Sequence, residues 1–271
     1  MKLAGVIPFP EDFAKRYRAE GYWDDRLLIE HWEDAFASFA DRVAVIDDES
    51  SWTYAELDAH STRLARVLLD LGLQPLDRVV VQLPNTNVFA AFYVALQRIG
   101  VIPIMALPSH RFREVEQFVR LSGAVALASP LTAKDADFGD IFRRVSENEP
   151  SLRWHFTLGG KSQLALEDLM SREPASTVED LLALRAELDP EDPAVFQLSG
   201  GTSSQNYRSS SLTQRASNLA TDTSTRPSNN GNLICQATGR GLQRDGVHGS
   251  VNCNVGHSVV LCRKSHAPLS V

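Results

Sequence analysis

Between Val43 and Leu198 the apolar residues fall into two patterns that take turns along the chain. Leu57, Leu64, Leu68 and Leu71 share one helical face, with Thr53 and Glu56 at capping-box spacing ahead of them and Gly72 as a left-handed stop. This spacing predicts a helix from Ala55 to Leu71. Arg78-Val79-Val80-Val81-Gln82-Leu83 is instead a short, nearly continuous apolar run closed by Pro84-Asn85, the pattern of a strand covered on both faces. A second helix is predicted after Thr86, with Val88, Phe89, Phe92, Leu96 and Ile99 inward and Gly100 closing it. Val101 to Ala106 returns as a strand, where Pro103 implies a bend or a sheet edge.

The alternation continues. Helices are predicted at Glu114 to Leu121, Phe138 to Val145 and Val178 to Leu188, and strands at Ala124 to Ala128, Trp154 to Leu158 and Ala194 to Leu198. Parallel strands need crossover helices, and right-handed crossovers place them on both faces of the sheet. The expected fold class is therefore α/β, a doubly wound and mostly parallel sheet.

Composition changes the picture after Thr202. Residues 1–202 hold 20 basic and 32 acidic residues, whereas 203–271 hold 7 basic and only 2 acidic, giving net charges of −12 and +5. The second segment also contains all three cysteines, one aromatic (Tyr207) and 24 residues of Ser, Thr or Asn. Two differently composed segments are joined, and the division expected is 1–202 and 203–271. With so little apolar surface the tail cannot offset the ~1–2 kcal/mol per residue that backbone ordering costs, so a disordered tail is expected. The last strand of the front segment should then stand as an open edge, and the chain should be poorly soluble alone.

Other classes are excluded or disfavoured. The overall net charge of −7 gives no general affinity for nucleic acid. No apolar run reaches the ~20 residues of a membrane span, and the amino end has no apolar stretch of signal-peptide length before its charges begin. A cytoplasmic setting follows as the expectation.

The chemistry is expected in one loop. Strand Ala194 to Leu198 runs into Ser199-Gly200-Gly201-Thr202-Ser203. In open α/β sheets ligands sit beyond the carboxyl ends of strands, and adjacent glycines let backbone N–H groups close on a phosphate without a Cβ in the way. Hydroxyls at Ser199, Thr202 and Ser203 add donors. The bare pattern is equally that of a polar turn.

Its surroundings resemble a family. Phe196-Gln197-Leu198-Ser199-Gly200-Gly201-Thr202 is similar to the phosphate loop of the adenylate-forming superfamily, which includes acyl-CoA synthetases, luciferases and nonribosomal adenylation domains. Three upstream stretches, Phe13 to Trp23, Val81-Gln82-Leu83-Pro84-Asn85 and Ala106-Leu107-Pro108-Ser109-His110-Arg111, resemble the aryl-acid branch, whose 2,3-dihydroxybenzoate–AMP and salicylate–AMP ligases start siderophore assembly. The resemblance runs from about Pro8 to Thr202. It implies an incomplete adenylation amino-terminal domain and a two-step reaction. An aryl carboxylate attacks the α-phosphorus of ATP with Mg2+, and the acyl group then passes to a phosphopantetheine thiol on a carrier protein. It also implies that Ser199, Gly200, Gly201 and Thr202 hold the β- and γ-phosphates, with Ser203 standing where the family usually has threonine. No catalytic residue is transferred.

The resemblance stops at the break. The family's loop continues with Gly-x-Pro-Lys and then an apolar-Arg-Thr-His stretch, with the aryl pocket and catalytic lysine farther on, whereas here Ser203-Ser204-Gln205-Asn206-Tyr207-Arg208-Ser209-Ser210-Ser211-Leu212 follows. Shifted by one nucleotide, the codons of Ser204 to Leu212 can read Pro-Lys-Ile-Ile-x-Arg-x-His, close to the family text. An out-of-frame tail is therefore expected, and with it an inactive chain. Two other readings remain open: a nucleotide-binding or interaction module without turnover, and a zinc module in the tail. The latter would use His248, Cys253, His257, Cys262 and His266 with Cys235 upstream, although the close Cys-x-x-Cys knuckle is missing. His110 reads as a loop histidine with backbone partners. Asp47-Asp48-Glu49 reads as a solvated turn between Val43–Ile46 and Trp52–Tyr54.

Overall fold

Thr53 begins the first long helix as its sequence demands: its Oγ1 accepts from the Glu56 N–H, and the Glu56 carboxylate accepts from the Thr53 N–H at 2.7 Å. The structure, a computed structural model, describes residues 3, 6, 10–133, 136–160 and 162–197, together with the backbone of 198–199, 232–237, 251–255 and 258–262. Its elements begin with α1 (Glu11–Ala19), α2 (Leu28–Ser38), β1 (Val43–Ile46), β2 (Ser51–Thr53), α3 (Tyr54–Asp70) and β3 (Arg78–Val81). There follow α4 (Asn87–Arg98), β4 (Ile102–Met105), α5 (Phe112–Ser122), β5 (Ala126–Pro130) and the short pair β6 (Thr132–Ala133) and β7 (Ala136–Asp137). Then come α6 (Phe138–Asn148), β8 (Trp154–Leu158), α7 (Leu166–Ser171), α8 (Val178–Arg185) and β9 (Pro193–Ser199). The last described strands are β10 (Asn232–Ala237), β11 (Val251–Val255) and β12 (Ser258–Cys262).

Strands β9, β4, β3, β5 and β8 lie side by side in that order and all parallel, with β10 antiparallel outside β9. Successive residues of the central strands point to opposite faces, and both faces are covered. Val79, Val81, Ala126 and Ala128 pack into the core shared with α2, α3, α4, α7 and α8. Val80, Ile102, Ile104 and Leu127 pack into the core shared with α5 and α6. The sheet is therefore doubly wound, as the sequence pattern predicts. Gly72 and Gly100 end their helices at φ +92° and +65°, conformations in which a side chain is strained.

Two expectations are corrected. Pro103 does not sit at a sheet edge but in β4, between β9 and β3. The Ile102 N–H donates to Asp77 O on the β3 side, so the Pro103 nitrogen turns toward β9, where pairing begins only at Ile104↔Phe196. The missing N–H thus removes no bond from that ladder. Nor does the strand at Ala194 to Leu198 stand open, since β10 pairs along it from Asn232↔Ser199 to Ala237↔Pro193. Elsewhere in the tail β11 and β12 form a hairpin, and the remaining residues of 203–271 lie outside the described residues.

The face covered by α2, α3, α4, α7 and α8 is tied by a buried cation. Arg98, at the end of α4 and 5% exposed, donates to Ser61 Oγ and Asp58 Oδ1 on α3 and to Glu33 Oε1 on α2. Arg185 of α8 donates to the other oxygen of Glu33. Removing one partner of such a group leaves uncompensated charge and typically costs ~3–5 kcal/mol. Because Glu33 and Asp58 still reach water, Arg98→Ala is expected to lower unfolding free energy by about 3 kcal/mol in urea denaturation; a variant as stable as the parent would contradict this role.

Candidate functional site

In a doubly wound sheet the crevice for a ligand opens where consecutive crossovers leave in opposite directions. Here that point lies between β3 and β5, because β4 follows on one side of β3 and β5 on the other. Beyond the carboxyl end of β3 comes Gln82, and beyond that of β4 comes the loop Ala106–Arg111. Strand β9 pairs with β4 in parallel register, Ile104↔Phe196 and Met105↔Gln197, so its carboxyl end lies at the same edge as that of β4. Ser199 is the last residue of β9. The other expected phosphate-loop residues, Gly200, Gly201, Thr202 and Ser203, lie outside the described residues.

Gln82 ties this edge together. It is 2% exposed, and its Nε2 donates to the carbonyls of Leu107 at 2.6 Å and His110 at 2.8 Å. Two carbonyl acceptors fix which end of the amide faces them, and the buried Oε1 is left without a partner among the described residues. A buried acceptor in that condition costs ~1–3 kcal/mol and calls for an explanation. Local sequence gives no sign of this clamp, since its partners lie 25 and 28 residues away; only its place after an apolar strand points to the sheet edge.

His110 has the backbone partner expected of it: its Nδ1 accepts from the Leu107 N–H at 3.0 Å. Its ring meets the edge of Phe118 at 5.1 Å. Burial pushes its pKa below the ordinary histidine value; nearby Glu114 pulls it up and Arg111 pushes it further down. The imidazole is therefore neutral near pH 7, and with Nδ1 accepting, its proton resides on Nε2.

The other singled-out groups are structural. Asp47 Oδ1 accepts the N–H groups of Glu49 and Ser50, and Oδ2 accepts that of Asn87, which closes the β1–β2 turn onto α4 and holds the Asp47 carboxyl below its usual range. No metal-binding group of His, Cys, Asp or Glu occurs among the described residues. His248, His257 and His266 lie outside those residues, while Cys235, Cys253 and Cys262 fall in β10, β11 and β12. A cleft of about 460 Å3 opens among helices α2, α3, α4 and α8 around Glu33, Asp58, Arg98 and Arg185, and no strand end lines it.

Ser129 and His155 form a buried pair, Oγ to Nε2 at 2.8 Å, with Phe142 stacked on the imidazole at 4.8 Å. Ser129 is fully buried, so the pair packs β5 against β8 and cannot meet a substrate. Desolvation pulls the His155 pKa down to about 4 against the opposing charge of Asp137.

Residues 32–205 match the AMP-binding enzyme family. The chain belongs to that family. Over 202 residues this AMP-binding chain is 42% identical to Triostin synthetase I of Streptomyces triostinicus and 36% identical to the 2,3-dihydroxybenzoate-AMP ligase of Bacillus subtilis (strain 168). Each match takes in 74% of this chain and 36% of the relative. The apo structure of MbtA from Mycobacterium smegmatis aligns at 37% identity and a TM-score of 0.64, covering 73% of this chain and 36% of that one. The chain thus spans little more than a third of the length of these relatives. Among the described residues, no helix is long and apolar enough to cross a membrane.

A histidine held neutral by the fold makes stability depend on pH with a definite sign. The His155 pKa is below its unfolded value of ~6.5, so its stabilisation is complete above pH 6.5 and is lost as pH falls toward about 4, where the folded form also takes the proton. The expected loss over that window is at most about 3 kcal/mol. Urea denaturation at stepped pH should show this dependence in the parent chain and its disappearance in His155→Gln; an unchanged profile in the variant would assign the pH dependence elsewhere.

Proposed function

We propose that this chain derives from an aryl-acid–AMP ligase, an enzyme that activates 2,3-dihydroxybenzoate or salicylate with ATP for siderophore assembly. The observation that supports the reading is the end of one strand: β9 lies parallel to β4, with its carboxyl end at the same edge of the sheet, and its sequence runs on into Ser199-Gly200-Gly201-Thr202-Ser203. In this reading the glycine backbone and the hydroxyls hold the β- and γ-phosphates, Mg2+ enters with the ATP, and the full-length enzyme hands the acyl group to a phosphopantetheinyl carrier protein. The name of the B. subtilis relative supports the aryl-acid branch.

As it stands, the chain holds nucleotide without turning it over. The family match ends at residue 205, immediately past the phosphate loop, while the sequence continues for a further segment of opposite charge. A loop alone positions phosphates, but transition-state stabilisation requires the cation and the acid pocket that the family places farther on. The composition of 203–271 and its shifted codons support an out-of-frame origin for the tail, which the nucleotide sequence tests: adenylation-like text must resume in another frame past Thr202.

Calorimetric titration of the full chain with Mg-ATP is expected to show binding that Gly201→Val abolishes, because a β-branched Cβ would stand between the backbone N–H groups and the phosphate. Aryl-acid-dependent ATP–pyrophosphate exchange is expected to be absent. Exchange with salicylate or dihydroxybenzoate would overturn the proposed inactivity, and absence of ATP binding would overturn the phosphate-loop assignment.

A further inference from the structure

We propose that Gln82 is a positioning residue for ligand binding at this edge: it pins the Ala106–Arg111 loop so that His110 presents its Nε2–H to an anionic oxygen of the bound nucleotide. This rests on the nucleotide-binding reading above and adds a residue pair to it. Two features meet at one place. Gln82 follows β3, which borders the point where the winding of the sheet reverses, and is 2% exposed. Its amide spans the β4–α5 loop, bonding the Leu107 and His110 carbonyls, while the Leu107 N–H in turn bonds His110 Nδ1. One side chain thereby fixes both the backbone of the loop and the tautomer of its imidazole.

The unpaired Gln82 Oε1 is a cost of this clamp, and Asn87, whose amide nitrogen braces Ser50, bears the same open oxygen; the tie to a ligand rests on the place of Gln82 after β3 and on its hold on the His110 loop. Neutrality also matters chemically. An imidazolium would lose its charge across the physiological range, whereas a neutral Nε2–H donor keeps its role at every pH above the lowered pKa. Glu114 and Arg111, the charged groups that act on the ring, pull its pKa in opposite directions, so burial decides its state.

Nitrogen-detected NMR on the full chain, labelled in histidine and glycine, tests this. His110 is assigned by its loss in His110→Asn, and Gln82→Met removes both amide contacts while preserving side-chain volume. In the parent chain His110 is expected as the Nε2–H tautomer, titrating below 6.5. In Gln82→Met the two tautomers mix, the midpoint rises toward 6.5, and Mg-ATP affinity falls on the order of tenfold, about the worth of one hydrogen bond. Saturating Mg-ATP should shift His110 Nε2 together with the Gly200 and Gly201 amides. If the glycine amides respond and His110 does not, the inference falls while nucleotide binding stands. An unchanged His110 tautomer and midpoint in Gln82→Met overturn the positioning role whether or not ATP binds. If neither glycines nor histidine respond to ATP, the nucleotide reading falls and the ligand contact with it.

Discussion

Every other feature depends on strands whose two faces are both apolar. Val79, Val80 and Val81 are each essentially fully buried, yet they alternate between two separate cores. Such a strand gains from burial only if it is covered above and below, at ~25 cal/mol per Å2 of apolar surface removed from water on each side. Helices on both faces supply that cover, and the crossovers that bring them there force the strands parallel. Once the strands are parallel, their carboxyl ends collect at one edge. The polar residues excluded from both cores gather there, and this places Gln82, His110 and the end of β9 together.

Two of the buried polar groupings divide the work of the fold. Arg98 lies between helices, and its ion pairs with Glu33 and Asp58 join α2, α3 and α4 on the same face of the sheet. Its polar groups are matched, and nothing in it calls for a further partner. Gln82 lies at the sheet edge with one end of its amide matched and the other open. Asn87 shares that asymmetry while it braces the β1–β2 turn, so what distinguishes Gln82 is its position at the carboxyl edge of the sheet, whereas no strand end lines the cleft beside Arg98.

How much of this was legible follows from the range of each interaction. The helix at Thr53 was readable because its cap is local, and Gly72 and Gly100 because positive φ favours glycine at the residue itself. Pro103 misled, since its harmlessness depends on where β9 begins to pair, a fact some ninety residues away in sequence. Helices α1 and α2 went unnoticed, although Ile29, Trp32 and Phe36 recur at helical spacing along α2; α1 buries only Ala14. The phosphate loop was visible as text because glycine pairs after strands are distinctive. The Gln82 clamp was not, because an amide within an apolar run declares neither its partners nor its burial.

Hydrogen exchange on the full chain, with and without Mg-ATP, is the most direct test of the central claim that the chain carries its function at the carboxyl edge of a doubly wound sheet. Slow exchange should centre on β3, β4 and β5, and nucleotide should add protection at residues 106–111 and 199–203 while leaving the helices around Arg98 unchanged. Protection that appears instead among α2, α3 and α8, or central strands that exchange as fast as the tail, would contradict the account.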